Sequence, residues 1–382
     1  MGWADCEQGG GIHQVSLLSM ITGQSGVWRS KIVYEIFENL HGNILMKPRI
    51  SVIIPTYNRP EMLSAAICSV LNQTFQDFEL IVVDDASEGQ IQDLLTVFND
   101  RRIKYIRHNA NRGEGASRNT GIAHSEGEFI GFLDDDDQWL PEKLRLQFDL
   151  LEKSSPKIGG VYSSFFAIDM ENGTTLGQWV PKKRGDIYED MKFDNFVGTP
   201  STVLLRRECF DRAGLFDEDI AYGLDYDLWI RISKEFHFDY IKIPLVKYYF
   251  HKNQISNNLE IRSRGREALL RKHSHFFTSN KKAYTNHLLE LGLLYRNQQK
   301  IGRAETAFLE AIRIYPMRVS GYTYLIKCLG FYLLGKGYYT KLKKRKDSLI
   351  SYVKFRKSEY HSVMGHFEKV KTNNEKTIIQ KQ

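Results

Sequence analysis

An α/β fold, with a mixed and mostly parallel sheet flanked by helices and an α-helical module behind it, is predicted by three observations on this 382-residue chain. Short runs rich in β-branched residues alternate with helix-period segments from residue 48 to about residue 256. Strand-like runs stop abruptly in carboxylates at Asp84-Asp85 and at Asp134-Asp135-Asp136-Asp137, and Asp225 stands at the start of a helical run. After His251 the chain turns helical and basic.

Taken in order, Ile50-Ser51-Val52-Ile53-Ile54 reads as a buried strand and Pro55 to Pro60 as a turn. Leu63, Ile67, Val70 and Leu71 recur at helical spacing, and Leu80 to Val83 supply the next strand, which completes a βαβ unit. Ile103 to Ile106 is a third strand, followed by a polar loop from Asn109 to Gly115 and a helix over Ala116 to Ala123. A fourth strand, Phe129 to Leu133, runs into the four acids; Leu140, Leu144, Phe148 and Leu151 then mark a helix that Pro141 begins. Val161 to Ile168, Leu176 to Val180 and Ser201 to Leu205 read as strands. Asp225 to Ile232 has helical period with its acids in the first turn, which suits the helix dipole.

These readings divide the chain into an extension of unassigned role (1–47, with a short helix over Ile32 to Leu40), an α/β domain (48–256), a helical module (257–340) and a basic tail (341–382). The net charge is +7, and residues 341–382 carry 12 Lys and Arg against 4 Asp and Glu, so the tail holds the whole excess. Cys6, Cys68, Cys209 and Cys328 form no CxxC pair, which argues against a disulfide framework or a zinc site and for a reducing cytosol. No secretory signal and no run of about 18 apolar residues is visible, so the expected location is cytoplasmic, with peripheral contact at the inner face of a membrane through the basic segment as the alternative to a plainly solvated tail. No recognition motif for nucleic acid accompanies the charge. In the helical module Leu288, Leu291, Gly292, Tyr295, Ala304, Phe308, Ala311 and Pro316 reproduce the spacing of one tetratricopeptide-like hairpin, a surface that could serve a protein partner.

The acidic run carries most of the functional information. Four adjacent carboxylates raise one another's pKa, so a fold holds them best around a cation. An EF-hand would need Gly and Glu where Trp139 and Arg145 stand, and a phosphatase of the haloacid-dehalogenase type would open its domain with this motif, whereas here strands precede it. A plain acidic turn, or a divalent-metal site at the carboxyl end of a strand, remains.

In register and order, Ser51 to Arg59, Ser69 to Thr74, Glu79 to Ser87, Gly115 to Gly121, Gly127 to Trp139 and Leu224 to Trp229 resemble the family-2 glycosyltransferases with the GT-A fold. The resemblance implies a nucleotide-diphosphate sugar donor, a UDP-sugar foremost, a glycan or lipid-linked glycan acceptor, Mn²⁺ or Mg²⁺ as cofactor, and inversion at the anomeric carbon. It places Pro55, Tyr57, Asp84 and Asp85 around the nucleotide, Arg118 near its phosphates, Asp134 and Asp136 in a DXD-type metal motif, and Asp225 as catalytic base. Asp135 falls on the donor side of this motif and is the member expected to tolerate replacement, while Asp137 is a supporting or sugar-facing residue. Leu224 stands where many relatives have Glu, and the competing reading of Asp225 is a helix N-cap. Trp139 and Trp229 suit the core better than a sugar face. Two rivals remain: a sugar nucleotidyltransferase, which would carry a Gly-rich basic loop where Pro55 to Pro60 stands, and a scaffold with a vestigial transferase domain, against which the intact acids argue.

Overall fold

The computed structural model describes residues 47–89, 91–333 and the two-residue strand Phe367–Glu368. The helix expected over Ile32 to Leu40, Cys6 and nearly all of the basic tail lie outside the described residues, as does the end of the apolar stretch that begins at Tyr322.

The sheet is built outward from β1 (Ile50–Thr56), whose every residue is buried. Strand β2 (Phe78–Asp84) and β4 (Phe129–Phe132) flank it in parallel, and β3 (Ile103–Arg107) adds in parallel to β2. Beyond β4 the sheet becomes mixed: β8 (Val203–Arg206) pairs antiparallel with β4 and with β6 (Ile158–Asp169), and β7 (Thr175–Trp179) pairs antiparallel with β6. Because β1 is flanked by β2 on one side and β4 on the other, the loops after the three strands open at one edge on both sides of a topological switch point, the place where open α/β sheets bind ligands. Register fixes this: Thr56 pairs with Asp84 and Ile53 with Phe132, so the acids after β2 and β4 leave the sheet at nearly one level.

Helices α1 (Pro60–Leu71), α2 (Ile91–Phe98), α3 (Glu114–Ala123) and α4 (Lys143–Lys153) connect these strands. Helix α4 starts at Lys143, not at Pro141, because Pro141 and Glu142 form a turn before the first helical bond. Helix α3 lies on β1 so closely that a Cβ on Gly121 would come within 2.4 Å of Ile53 Cγ2. The β-branched Ile53 has little freedom to yield. Gly121→Ala is therefore expected to destabilise the fold by about 1–3 kcal/mol, read as a lower urea midpoint at unchanged slope.

Several elements go beyond the expected set. Helix α2 fills the link between β2 and β3, and β9 (His237–Phe250) runs parallel to β6, returning the chain to the acidic run through β5 (Gln138–Trp139). Helix α5 (Glu208–Ala213) precedes α6 (Leu224–Glu235), whose N-cap is Gly223 in the left-handed region (φ 80°); Asp225 is thus the second residue inside the helix, and the N-cap reading is corrected. Trp139 and Trp229 are both core residues, at 3% and 0% exposure, each donating its indole N–H to a backbone carbonyl.

Behind the sheet follow α7 (Leu259–Lys272), α8 (Ser274–Thr278), α9 (Lys281–Asn297), α10 (Ile301–Ile314) and α11 (Val319–Leu333). They belong to the same compact unit as the sheet, which begins at Pro48. Helices α9 and α10 cross where a Cβ on Gly292 would meet Phe308 at 2.4 Å, and Leu288, Leu291, Tyr295, Ala304 and Ala311 are buried around that crossing.

Candidate donor and catalytic site

The loops at the carboxyl edge enclose a cavity of about 450 Å³. Its lining includes Pro55 and Tyr57 after β1, Asp85 after β2, Arg118 on α3, Asp134, Asp135 and Asp136 after β4, and Asp225 on α6. Residues distant in sequence and singled out separately therefore share one chamber. Asp84 is not in its wall: Oδ1 accepts from the Ser87 N–H at 2.9 Å, and Oδ2 from Tyr105 (2.8 Å) and Arg107 (2.9 Å). It shapes the cavity indirectly, by fixing the turn that presents Asp85.

Asp85 is aimed by its own loop. Oδ1 accepts from the Arg112 N–H (2.8 Å) and lies 2.7 Å from His108 Nδ1, and Oδ2 accepts from the Gly113 N–H (2.7 Å). A carboxylate has about four lone-pair sites. Three are used here, so Oδ2 retains one acceptor position. Gly113, at φ 89°, permits the backbone turn that delivers both amides.

The acidic run is held unequally. Asp134 Oδ1 accepts from Arg118 Nη2 at 2.6 Å, Oδ2 lies 3.3 Å from Thr199 Oγ1, and the Asp134 amide donates to Ser201 Oγ. Asp135 accepts from Thr56 Oγ1 (2.8 Å) and Arg59 Nη1 (2.9 Å). Asp136 Oδ2 meets Arg59 Nη1 and His251 Nε2, both at 3.0 Å. Asp137 Oδ1 accepts from the Tyr249 amide at 3.2 Å, supplied by β9. Asp135, expected to be the loose member, has a partner on each oxygen and is 5% exposed.

Charge in this chamber is only partly balanced. Burial raises the Asp134 carboxyl to about 6 against the pull of Arg118. Burial, then the neighbouring Asp136 charge, raises Asp135 to about 7, and the same two causes push Asp137 well above the carboxylate range. Asp134, Asp136 and Asp137 each bring an oxygen to within 4.8 Å of the others, and theirs is the acidic group among the described residues that could grip a cation. Three hard oxygen ligands with surplus negative charge fit Mg²⁺ or Mn²⁺. The donor set present thus suits a divalent ion.

Asp225 faces the chamber from the first turn of α6. Its Oδ2 accepts from Asn195 Nδ2 at 3.0 Å, and burial lifts its carboxyl to about 6, tempered by the Tyr226 amide and the Arg118 charge. Arg118 is buried beneath the cavity, bonded to Glu114 and Asp134 and stacked 5.3 Å from the Phe216 ring. Its Nε and Nη1 make no hydrogen bond within the protein.

Arg59, Thr56, His251 and Asn195 are among the site residues not assigned from sequence. Arg59 stands inside the Pro55 to Pro60 turn, and its signal was a basic residue beside a strand end. Thr56 likewise sits in a quoted motif. His251 follows β9, a strand whose mixed pattern hid it, and Asn195 lies in an irregular stretch with no periodicity to read.

The family model for glycosyl transferase family 2 matches residues 51–214. An uncharacterized glycosyltransferase of Methanocaldococcus jannaschii is 33% identical over 210 residues, which is 53% of this chain and 71% of that protein. A UDP-Glc:alpha-D-GlcNAc-diphosphoundecaprenol beta-1,3-glucosyltransferase of Escherichia coli is 32% identical over 213 residues, 55% of this chain and 80% of that protein. Among solved structures, S. aureus TarS 1-349 in complex with UDP superposes with a TM-score of 0.50 at 19% identity, covering 74% of this chain and 89% of that one. That likeness is one of fold.

Proposed function

The chain belongs to glycosyltransferase family 2, and on that premise we propose that it transfers a sugar from a UDP-linked donor to a hydroxyl of a lipid-linked glycan, with a divalent metal and with inversion. The observation that carries this reading is the convergence of Asp85, Asp134 to Asp136 and Asp225 on one cavity from two loops and a helix N-terminus. The Escherichia coli relative, named for a UDP-glucose donor and a diphosphoundecaprenol-linked acceptor, supports the choice of substrate classes.

In this reading Asp85 uses its spare acceptor position for a nucleobase N–H, and Tyr57, 43% exposed at the rim, lies against the base. Pro55 forms the floor beside it. Arg118, which lines the cavity, lends its positive charge to the donor phosphates. Asp134 and Asp136, with Asp137, would hold Mn²⁺ or Mg²⁺, which when bound neutralises the diphosphate as it leaves. Asp225 accepts the proton of the acceptor hydroxyl while that oxygen forms its bond to the anomeric carbon and the diphosphate departs with the bonding pair. A single displacement inverts that centre.

The closing test is a thermal-shift panel of nucleotides with MnCl₂ or with EDTA. UDP with Mn²⁺ at about 100 times its Kd should add roughly 2.7 kcal/mol of stability, seen as a rise in Tm of several degrees that EDTA reverses. A larger rise with GDP than with UDP, or no dependence on Mn²⁺, would overturn the donor or the metal assignment respectively.

A further inference from the structure

Three contacts tie the helical module to the two segments that present Asp225. The first is steric: a Cβ on Gly265 of α7 would lie 2.2 Å from the Tyr222 carbonyl oxygen, so α7 is packed directly on the backbone one residue before the Gly223 cap. The second is electrostatic. Asp227, two residues after the base and fully buried, accepts from Arg231 on Oδ2 (2.7 Å), and its Oδ1 lies 2.7 Å from His273 Nε2 and 2.9 Å from Lys272 Nζ. The third grips the segment that carries Asn195. His287 of α9 lies 2.8 Å from the Lys192 carbonyl through Nε2, and its Nδ1 meets Arg266 Nη1 at 2.8 Å, while Arg266 pairs with Glu290 at 2.8 Å.

That segment also meets the base helix itself, since the Tyr226 hydroxyl donates to the Met191 carbonyl. Asn195 closes its own turn, accepting from the Gly198 amide at 3.0 Å, and directs Nδ2 to Asp225 Oδ2. The base is thus reached from two directions, and both supports end in α7 to α9. A carboxylate at a helix N-terminus with one side-chain partner has rotational freedom; fixing the helix and the partner together removes it.

We propose that helices α7 to α9 are a positioning element for the catalytic base, acting through Gly265–Tyr222, Lys272 and His273 on Asp227, and His287 on the segment that carries Asn195. The inference rests on the reading of Asp225 as base. It makes the helical module part of the transferase, with Lys272, His273 and His287 as positioning residues that touch no substrate.

The test uses the full chain and the UDP-sugar selected by its turnover. The double variant Lys272→Ala/His273→Ala removes both bonds to Asp227 Oδ1 yet leaves Arg231 on Oδ2, so the buried carboxylate stays paired. It should lower kcat about tenfold with donor KM within about twofold, and Lys272→Arg/His273→Gln should recover most of the loss. Gly265→Ala should show the same split. UDP-binding stoichiometry by calorimetry gives the folded fraction, so a loss of kcat that merely follows a loss of binding sites would overturn the proposal, as would unchanged kcat in the double variant. Asp225→Asn separates the two readings: if it is inactive while the double variant is unimpaired, only the positioning role falls; if it retains full turnover, the base assignment falls with it.

Discussion

Asp225→Asn is expected to reduce transfer by at least about 10³-fold while leaving UDP affinity within about threefold. Asparagine keeps the size of the side chain and an oxygen that can still accept from Asn195 Nδ2, so the first turn of α6 need not move. What is lost is the capacity to take a proton. Donor affinity is retained because the residues assigned to the nucleotide, Asp85 and Tyr57, come from the loops after β1 and β2 and owe nothing to α6. The pH profile supplies a second check. Burial raises the Asp225 carboxyl to about 6, so the wild-type rate should fall as the pH drops through that value. An inactive variant that also fails to bind UDP would point to misfolding; one that transfers at the wild-type rate would remove Asp225 from the chemistry.

The sequence was most readable where physics leaves least choice. Fully buried parallel strands such as β1 and β2 read as near-continuous apolar runs, and Ile50 to Ile54, broken only by Ser51, and Leu80 to Val83 fit that pattern. Because ligands collect at the carboxyl ends of such strands, the acids that follow β2 and β4 marked the candidate cavity that Asp85 and Asp134 to Asp136 line. Strand β9 was silent for the opposite reason. Its pattern is half-exposed, it contains Pro244, and its pairing with β6 shifts register near Ser163 to Phe165, so neither alternation nor an apolar run survives. His251 was hidden with it. Asn195 was beyond reach because residues 181–202 hold only short 3₁₀ turns, and its role depends on where a distant helix lands. Arg59 shows a further limit: a basic residue in a recognised motif carries no sign that its guanidinium will bridge Asp135 and Asp136.

Asp136→Asn is expected to abolish metal-dependent activity and, at the same time, to leave the metal-free protein as stable as the parent or more so. The charge of Asp136 contributes to the raised pKa of Asp135 and of Asp137, so neutralising it relieves repulsion among buried anions. An asparagine oxygen can still accept from Arg59 and His251, which limits the loss. Mn²⁺, however, loses an anionic ligand, and its stabilisation of the fold should shrink by about 2 kcal/mol or more. The sign with pH follows from the same shifts. Carboxyls raised in the folded state to about 6 and about 7 hold protons that the unfolded chain has released, so the metal-free parent should lose stability as pH climbs from 4 to 7. A bound divalent ion must displace those protons, and the rise in Tm on adding MnCl₂ should therefore be larger at pH 8 than at pH 5.5. Scanning calorimetry at the two pH values, with and without Mn²⁺, for parent and Asp136→Asn reads all of these at once. An equal Mn²⁺ response in parent and variant would move the metal away from Asp136, whereas a variant with a lower metal-free Tm would show that the Arg59 and His251 bonds outweigh the repulsion they oppose.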